Sequence, residues 1–187
     1  MDKKTLYISF SAEVNQNTTE NLMGVIAQKV NAGVKDIYLL ISSPGGSVMN
    51  GINVYNFLKA LPINLTTHNI GIVDSIANVI FLAGKNRYAV KNSSFLFHGV
   101  GFDINQPTRF EEKNVLEKLK MVQRDQKLIA DIIAENSKFT AEEIEKMFLA
   151  AETKTPEEAK TKDLINEVKE ALIPDGAEVI QFVFQRK

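Results

Sequence analysis

The chain has 187 residues, 44% of them apolar and 24% charged, with a formal net charge of −1. That length suits a single domain able to bury a core without covalent staples, and the balanced charge offers no field to attract nucleic acid or an acidic membrane. Cysteine is absent, which excludes disulfides and thiolate metal sites and suits a reducing compartment.

Residues 1–10 carry two lysines but no apolar stretch long enough for a signal peptide. The most apolar stretch, 70–84, is broken by Asp74, Ser75 and Asn78 and falls short of the roughly 20 residues a membrane span needs. A cytoplasmic location, away from membranes, is therefore expected.

Residues 5–10 alternate around Leu6, Tyr7, Ile8 and Phe10, which predicts a first strand. Asn17-Thr18-Thr19-Glu20 places an acid three positions after a capping residue, the start of a helix that Ala32-Gly33 should end. The continuous apolar run 36–41 predicts a strand buried on both faces in a parallel sheet. Ser43-Pro44-Gly45-Gly46 then turns sharply into a helix over about 47–60, and a third strand over 64–70 leads through Gly71 into a helix over 75–82. Short strands are expected at 87–90 and 94–98. Strands alternating with helices imply an α/β fold with a mostly parallel sheet.

Beyond His98 the character changes. Residues 99–107 read as a loop and 109–136 as one long helix, with Leu116, Leu119, Val122, Ile129, Ile132 and Ile133 at helical spacing among charges. Thr140 with Glu143 opens a capped helix, Pro156 starts a shorter one, and 177–184 is strand-like. No repeat, low-complexity tract or linker marks a second domain, so 1–187 is expected to be one unit.

Three segments could carry chemistry. In Ser42-Ser43-Pro44-Gly45-Gly46-Ser47 the paired glycines let backbone N–H groups approach a ligand, and N–H groups at a helix start can hold an oxyanion or a phosphate. The plainer alternative is a strand-to-helix turn. The absence of Gly-Lys-Ser/Thr argues against a Walker-type phosphate loop. In the second segment, 71–78, Ser75 stands at a strand-to-helix junction, where the helix dipole favours a developing negative charge. Helix capping by Ser75 or Asp74 is the alternative, and the Gly-x-Ser-x-Gly elbow of another hydrolase class is absent. The third is His98, which closes the apolar strand Phe95-Leu96-Phe97 and should point into the crevice at the strands' carboxyl ends. A structural histidine is its alternative reading. His68 precedes the end of its strand and is expected to be structural or exposed.

Together these segments resemble one family. Residues 36–48 are similar to the Ser-Pro-Gly-Gly segment of the Clp protease proteolytic subunit family, and Ser75 follows Gly46 by 29 residues, the family's separation between oxyanion glycine and serine. Residues 80–84 resemble the end of the nucleophile helix. Asn92-Ser93 with His98 resemble the strand that ends in the catalytic histidine. Residues 141–166, including Glu157-Glu158-Ala159 and Asp163-Leu164-Ile165, resemble the C-terminal helices. Coverage runs from about residue 5 to 168.

The resemblance implies a crotonase-like superfold of repeated β-β-α units, with 109–136 as a long handle helix projecting from a head formed by about 1–108 and 140–187. It implies a serine endopeptidase acting on unfolded or short polypeptides, with Ser75 as nucleophile, His98 as base, and the N–H groups of Gly46 and Ile76 as oxyanion hole. No cofactor and no metal are implied. The partners implied are a polypeptide substrate, further copies of the chain in a ring-shaped homo-oligomer, and an AAA+ unfoldase. Against the unfoldase stand the short N-terminal segment and Leu40, which occupies the place of a docking tyrosine; Leu149 and Ala150 replace charges that stack the family's rings.

The family's third catalytic residue, an aspartate, aligns with Ala151. Glu152, one position on, becomes the third member if the alignment shifts by one residue, with a surface glutamate as the alternative. Asp74 and Ala77 replace a small residue and a glycine beside the nucleophile. These departures leave two other readings: a catalytically inactive subunit with an assembly or binding role, and a coenzyme A-dependent crotonase using Asp74. A serine–lysine pair with Lys85 is disfavoured by His98 in register.

Overall fold

A computed structural model describes residues 5–102, 104 and 109–182. The loop expectation for 103 and 105–107, the end of the expected last strand at 183–184, and both ends of the single unit 1–187 fall outside them.

The first strand, β1 (Leu6–Ser11), leads into α1 (Gln16–Asn31). The cap of α1 is Asn15 rather than Asn17, because Asn15 Oδ1 accepts the Thr18 N–H at 3.0 Å while Thr18 Oγ1 accepts the Asn15 N–H. Then follow β2 (Asp36–Ser43), α2 (Val48–Ala60), β3 (Asn64–Asp74), α3 (Ala77–Leu82), β4 (Asn86–Ala89) and β5 (Ser94–Phe97). β2 runs parallel to both β1 and β3, as its unbroken apolar run requires.

β3 extends four residues beyond its expected end and changes partner on the way. Residues Thr66 to Asn69 pair with β4, whereas Ile72 to Asp74 pair with β5. Between these blocks the register against β2 slips, from Ile41 opposite Asn69 to Ser43 opposite Val73. Such a bulge bends a strand and re-aims its end. Buried Asn69 holds it, donating to the Ser94 carbonyl at 2.8 Å and accepting the Gly71 N–H at 3.0 Å.

The long helix α4 (Glu112–Glu135) begins three residues later than expected. Its first turns are exposed on every side, including Val115, Leu116 and Leu119, while Ile129 and Ile133 are buried in the core. It is therefore anchored at one end, as a handle is. The capped helices α5 (Ala141–Ala150) and α6 (Pro156–Thr161) start where Thr140 with Glu143 and Pro156 predict.

Two strands were not expected: β6 (Glu152–Lys154), antiparallel to β5, and β7 (Glu167–Val168), beside β4. Both are short and polar, and they join the sheet through backbone bonds that leave no apolar pattern. The strand-like tail forms β8 (Glu178–Gln181), parallel to β1. The central order is β6-β5-β3-β2-β1-β8; the core includes Phe10, Phe81, Phe95 and Phe97 and extends to α4, α5 and α6 through Ile129, Ile144 and Ala159. Arg87 fastens the C-terminal helices to β4 by donating to the carbonyls of Gly84, Asn136, Asp163 and Leu164.

Candidate active site

Ser75 is not a helix cap. Its φ is 54°, in the left-handed region, which costs an L-residue about 1–2 kcal/mol. The helix α3 begins only at Ala77, and the residue before it, Ile76, makes no side-chain cap bond. The chain thus turns sharply at the half-buried Ser75, between the end of β3 and the start of α3. The Ser75 N–H donates to the Leu96 carbonyl at 2.9 Å, so the elbow is fixed to β5.

The Pro-Gly-Gly turn packs against this elbow. A Cβ on Gly45 would come within 2.7 Å of the Asp74 carbonyl, 2.8 Å of Ser75 Cβ and 3.3 Å of the Ile76 nitrogen. A Cβ on Gly46 would lie 2.3 Å from the Val14 carbonyl oxygen. Both glycines have positive φ, +85° and +143°, so both sterics and backbone require glycine. Val14 pins the turn from the other side, donating to the Gly45 carbonyl and accepting the Ser47 N–H, each at 2.7 Å. The N–H groups of Gly46 and Ile76 are left without an acceptor among the described residues, beside the serine and at helix starts that favour negative charge.

His98 follows directly on β5 and is exposed. Its Nδ1 lies 2.8 Å from the Gly99 carbonyl oxygen. That oxygen can only accept, so Nδ1 carries the proton and Nε2 keeps the lone pair. No direct hydrogen bond joins the Ser75 and His98 side chains; the β3–β5 pairing brings their strands together, with Asp74 opposite Leu96.

Glu152 is not brought to His98. It lies opposite Phe97 in the antiparallel β5–β6 pair, so it shares the Phe97 face. There its carboxylate pairs with Lys154 at 2.5 Å in a pocket that Phe139 also lines. Strand alternation, which turns successive residues to opposite faces, accounts for this correction of the shifted alignment.

Asp74 turns its carboxylate to the Leu96 N–H, at 3.3 Å from Oδ1. Burial pushes its carboxyl above the usual carboxylate range, opposed by that N–H and by the nearby His98. Sequence reasoning passed over Asn78 except as a break in an apolar stretch. It is buried, and its Nδ2 donates to the carbonyls of Ser75 and Leu96 at 3.1 and 2.9 Å. An asparagine inside Ala77-Asn78-Val79-Ile80-Phe81-Leu82, one turn after a serine, was the available signal.

His68, by contrast, is a structural residue, fully buried on β3 between Tyr38 Oη at 2.7 Å and the Lys169 carbonyl at 3.1 Å. Among the described residues there is no cluster of acids and histidines fit to hold a metal ion, and no helix long and apolar enough to cross a membrane.

The family model for Clp protease matches residues 3–171. The chain belongs to the Clp protease family. A solved structure of a mutant of ClpP1 from Listeria monocytogenes is similar to it with a TM-score of 0.76, at 24% identity, over 91% of this chain and 93% of that one. At that identity the likeness bears on the fold alone, and the fold is the ClpP/crotonase-like one that the sequence implied. Membership of the Clp family, in turn, supports a serine-type peptidase.

Proposed function

We propose that the chain is a serine endopeptidase that cleaves unfolded or short polypeptides with a Ser75–His98 dyad. The observation that carries this reading is the elbow: Ser75 in the left-handed region, with two unpaired N–H groups, Gly46 and Ile76, beside it.

In this mechanism Ser75 Oγ attacks the peptide carbonyl while His98 Nε2 takes the hydroxyl proton. The carbonyl oxygen becomes an oxyanion held by Gly46 and Ile76, each such donor typically being worth ~10²–10³ in rate. His98 then gives the proton to the leaving amine as the C–N bond breaks, and water, activated by the same imidazole, hydrolyses the acyl-enzyme. The Gly99 carbonyl fixes the tautomer in place of a third side chain but supplies no full negative charge to the imidazolium. The dyad is therefore expected to be slower than a complete triad. An apolar groove of about 510 Å³, lined by Val100, Phe102, Ile104, Phe110 and Leu119 among others, opens two residues beyond His98 and would seat apolar side chains of the substrate. Assembly into a ring of like subunits belongs to the same proposal. An AAA+ partner does not.

A fluorophosphonate probe tests the reading. Labelling of the wild-type chain that Ser75→Ala and His98→Ala both abolish is the expected result. The absence, among the described residues, of a carboxylate hydrogen-bonded to His98 favours one second reading, an inactive assembly subunit. A folded, oligomeric chain that takes no label would establish that second reading and overturn the first.

A further inference from the structure

The proposed reaction needs Ser75 and His98 in a fixed relation, and no carboxylate among the described residues accepts a hydrogen bond from the imidazole. The structure holds the two together by another route. Asn78, only 1% exposed, donates from Nδ2 to the carbonyl oxygens of both Ser75 and Leu96. The Leu96 carbonyl also accepts the Ser75 N–H, and the Leu96 N–H donates to Asp74 Oδ1. Both backbone polar groups of Leu96 are thus engaged by the elbow, and His98 stands two residues further along the same strand.

Asn78 is also the one buried side chain among the described residues with a polar atom that has no protein partner, its Oδ1. Leucine there would remove the unpaired Oδ1 and leave each carbonyl a backbone donor, the Asn78 N–H for Ser75 and the Ser75 N–H for Leu96, so its net cost in stability is small. Stability alone therefore gives little reason for asparagine here, whereas its two donors reach two carbonyls whose spacing sets the site. We propose that Asn78 is a positioning residue that clamps the Ser75 elbow to β5 and so fixes the nucleophile relative to His98. This rests on the Ser75–His98 reading above.

The test uses the full chain with Asn78→Leu, an apolar side chain of similar size, and Asn78→Ala as a smaller variant should leucine disturb folding. Fluorophosphonate labelling is resolved into kinact and KI, thermal unfolding gives Tm, and hydrogen exchange reports on the Ser75 amide, whose bond to Leu96 the clamp protects. The expected result is a kinact lower by roughly ten-fold or more, as misplacement of a reacting group produces, with KI unchanged. With leucine, Tm should be unchanged or raised, and in both variants the Ser75 amide should exchange faster. Wild-type kinact in a folded variant, or an equal loss in KI, would overturn the proposal. If the wild-type chain takes no label, the peptidase reading fails, and Ser75 exchange alone then decides the clamp: unchanged protection overturns it, faster exchange upholds it.

Discussion

Phe97 and Glu152 stand directly opposite each other in the antiparallel β5–β6 pair, so their side chains share one face. Ala151, the residue that aligns with the family's catalytic aspartate, stands immediately before that strand. It caps α5 with φ 49°, a left-handed conformation that aspartate and asparagine tolerate better than most residues.

Installing a carboxylate there should complete a triad. Ala151→Asp is expected to raise the fluorophosphonate labelling rate on the order of ten- to hundred-fold, because an ionised partner stabilises the imidazolium that a carbonyl only orients. Glu152→Gln should leave the rate as it is. Labelling kinetics of the two variants check both; a folded Ala151→Asp chain with unchanged rate would show that position 151 does not reach His98.

The Pro-Gly-Gly turn should be intolerant at Gly45 in a way that separates fit from backbone strain. A methyl group there meets the Asp74 carbonyl and Ser75 Cβ at 2.7 and 2.8 Å, so Gly45→Ala should destabilise by about 2–3 kcal/mol and slow labelling about a hundred-fold. Gly33→Ala is the control. Its φ is +96° but nothing lies within 4 Å, so it should lose about 1 kcal/mol and keep its labelling rate. Equal effects of the two in urea unfolding and labelling would count against close packing of the turn on the elbow.

Asp74 should weaken the fold at neutral pH. Its carboxyl is raised, first by burial, so the folded chain binds its proton more tightly than the unfolded chain does. Stability then falls as pH rises from the ordinary carboxylate range, about 3.9, through the folded value, and stays lower above it. Asp74→Asn keeps an acceptor for the Leu96 N–H and removes the charge. It should raise Tm at pH 7 and lose that advantage as the pH approaches 4; thermal melts across this range check the sign, and a lower Tm at pH 7 would contradict it.

His68 should act in the opposite sense. Burial first, with the Lys169 ammonium, holds its imidazole below the ordinary histidine range, against the opposing bond to the Lys169 carbonyl. Tyr38, pushed up to about 12 chiefly by burial, keeps its hydroxyl proton and donates it to Nδ1 of the neutral ring. The neutral ring is therefore the folded form. Its contribution to stability is complete above about pH 6.5 and declines as pH falls below that toward the folded value. Urea melts at pH 7.5 and 5.5 should show the wild-type advantage over His68→Gln shrinking at the lower pH. An advantage independent of pH would mean that His68 does not titrate with folding.

Much of the molecule was legible in its residues because local rules wrote it. The apolar run of β2 has to lie between two strands, Thr140 with Glu143 has to start α5, and Pro-Gly-Gly has to turn. The same holds for His98 after β5, whereas Ser75 follows β3 directly only because that strand runs four residues past its expected end. Less legible were β6 and β7, whose pairing uses backbone groups common to every residue, and the bulge in β3, which depends on Asn69 reaching Ser94 across the sheet.

The sequence by itself determined the order of elements and the turn at Pro-Gly-Gly, since periodicity, caps and glycine positions act over a few residues, and its motifs carried the family resemblance. Only the tertiary structure decided which face each side chain takes. A strand's faces alternate residue by residue, and the pairing opposite Phe97 puts Glu152 beside Lys154. The same dependence on distant partners made Asn78 invisible until β5 lay beside it, because what that side chain does is set by the Leu96 carbonyl it reaches.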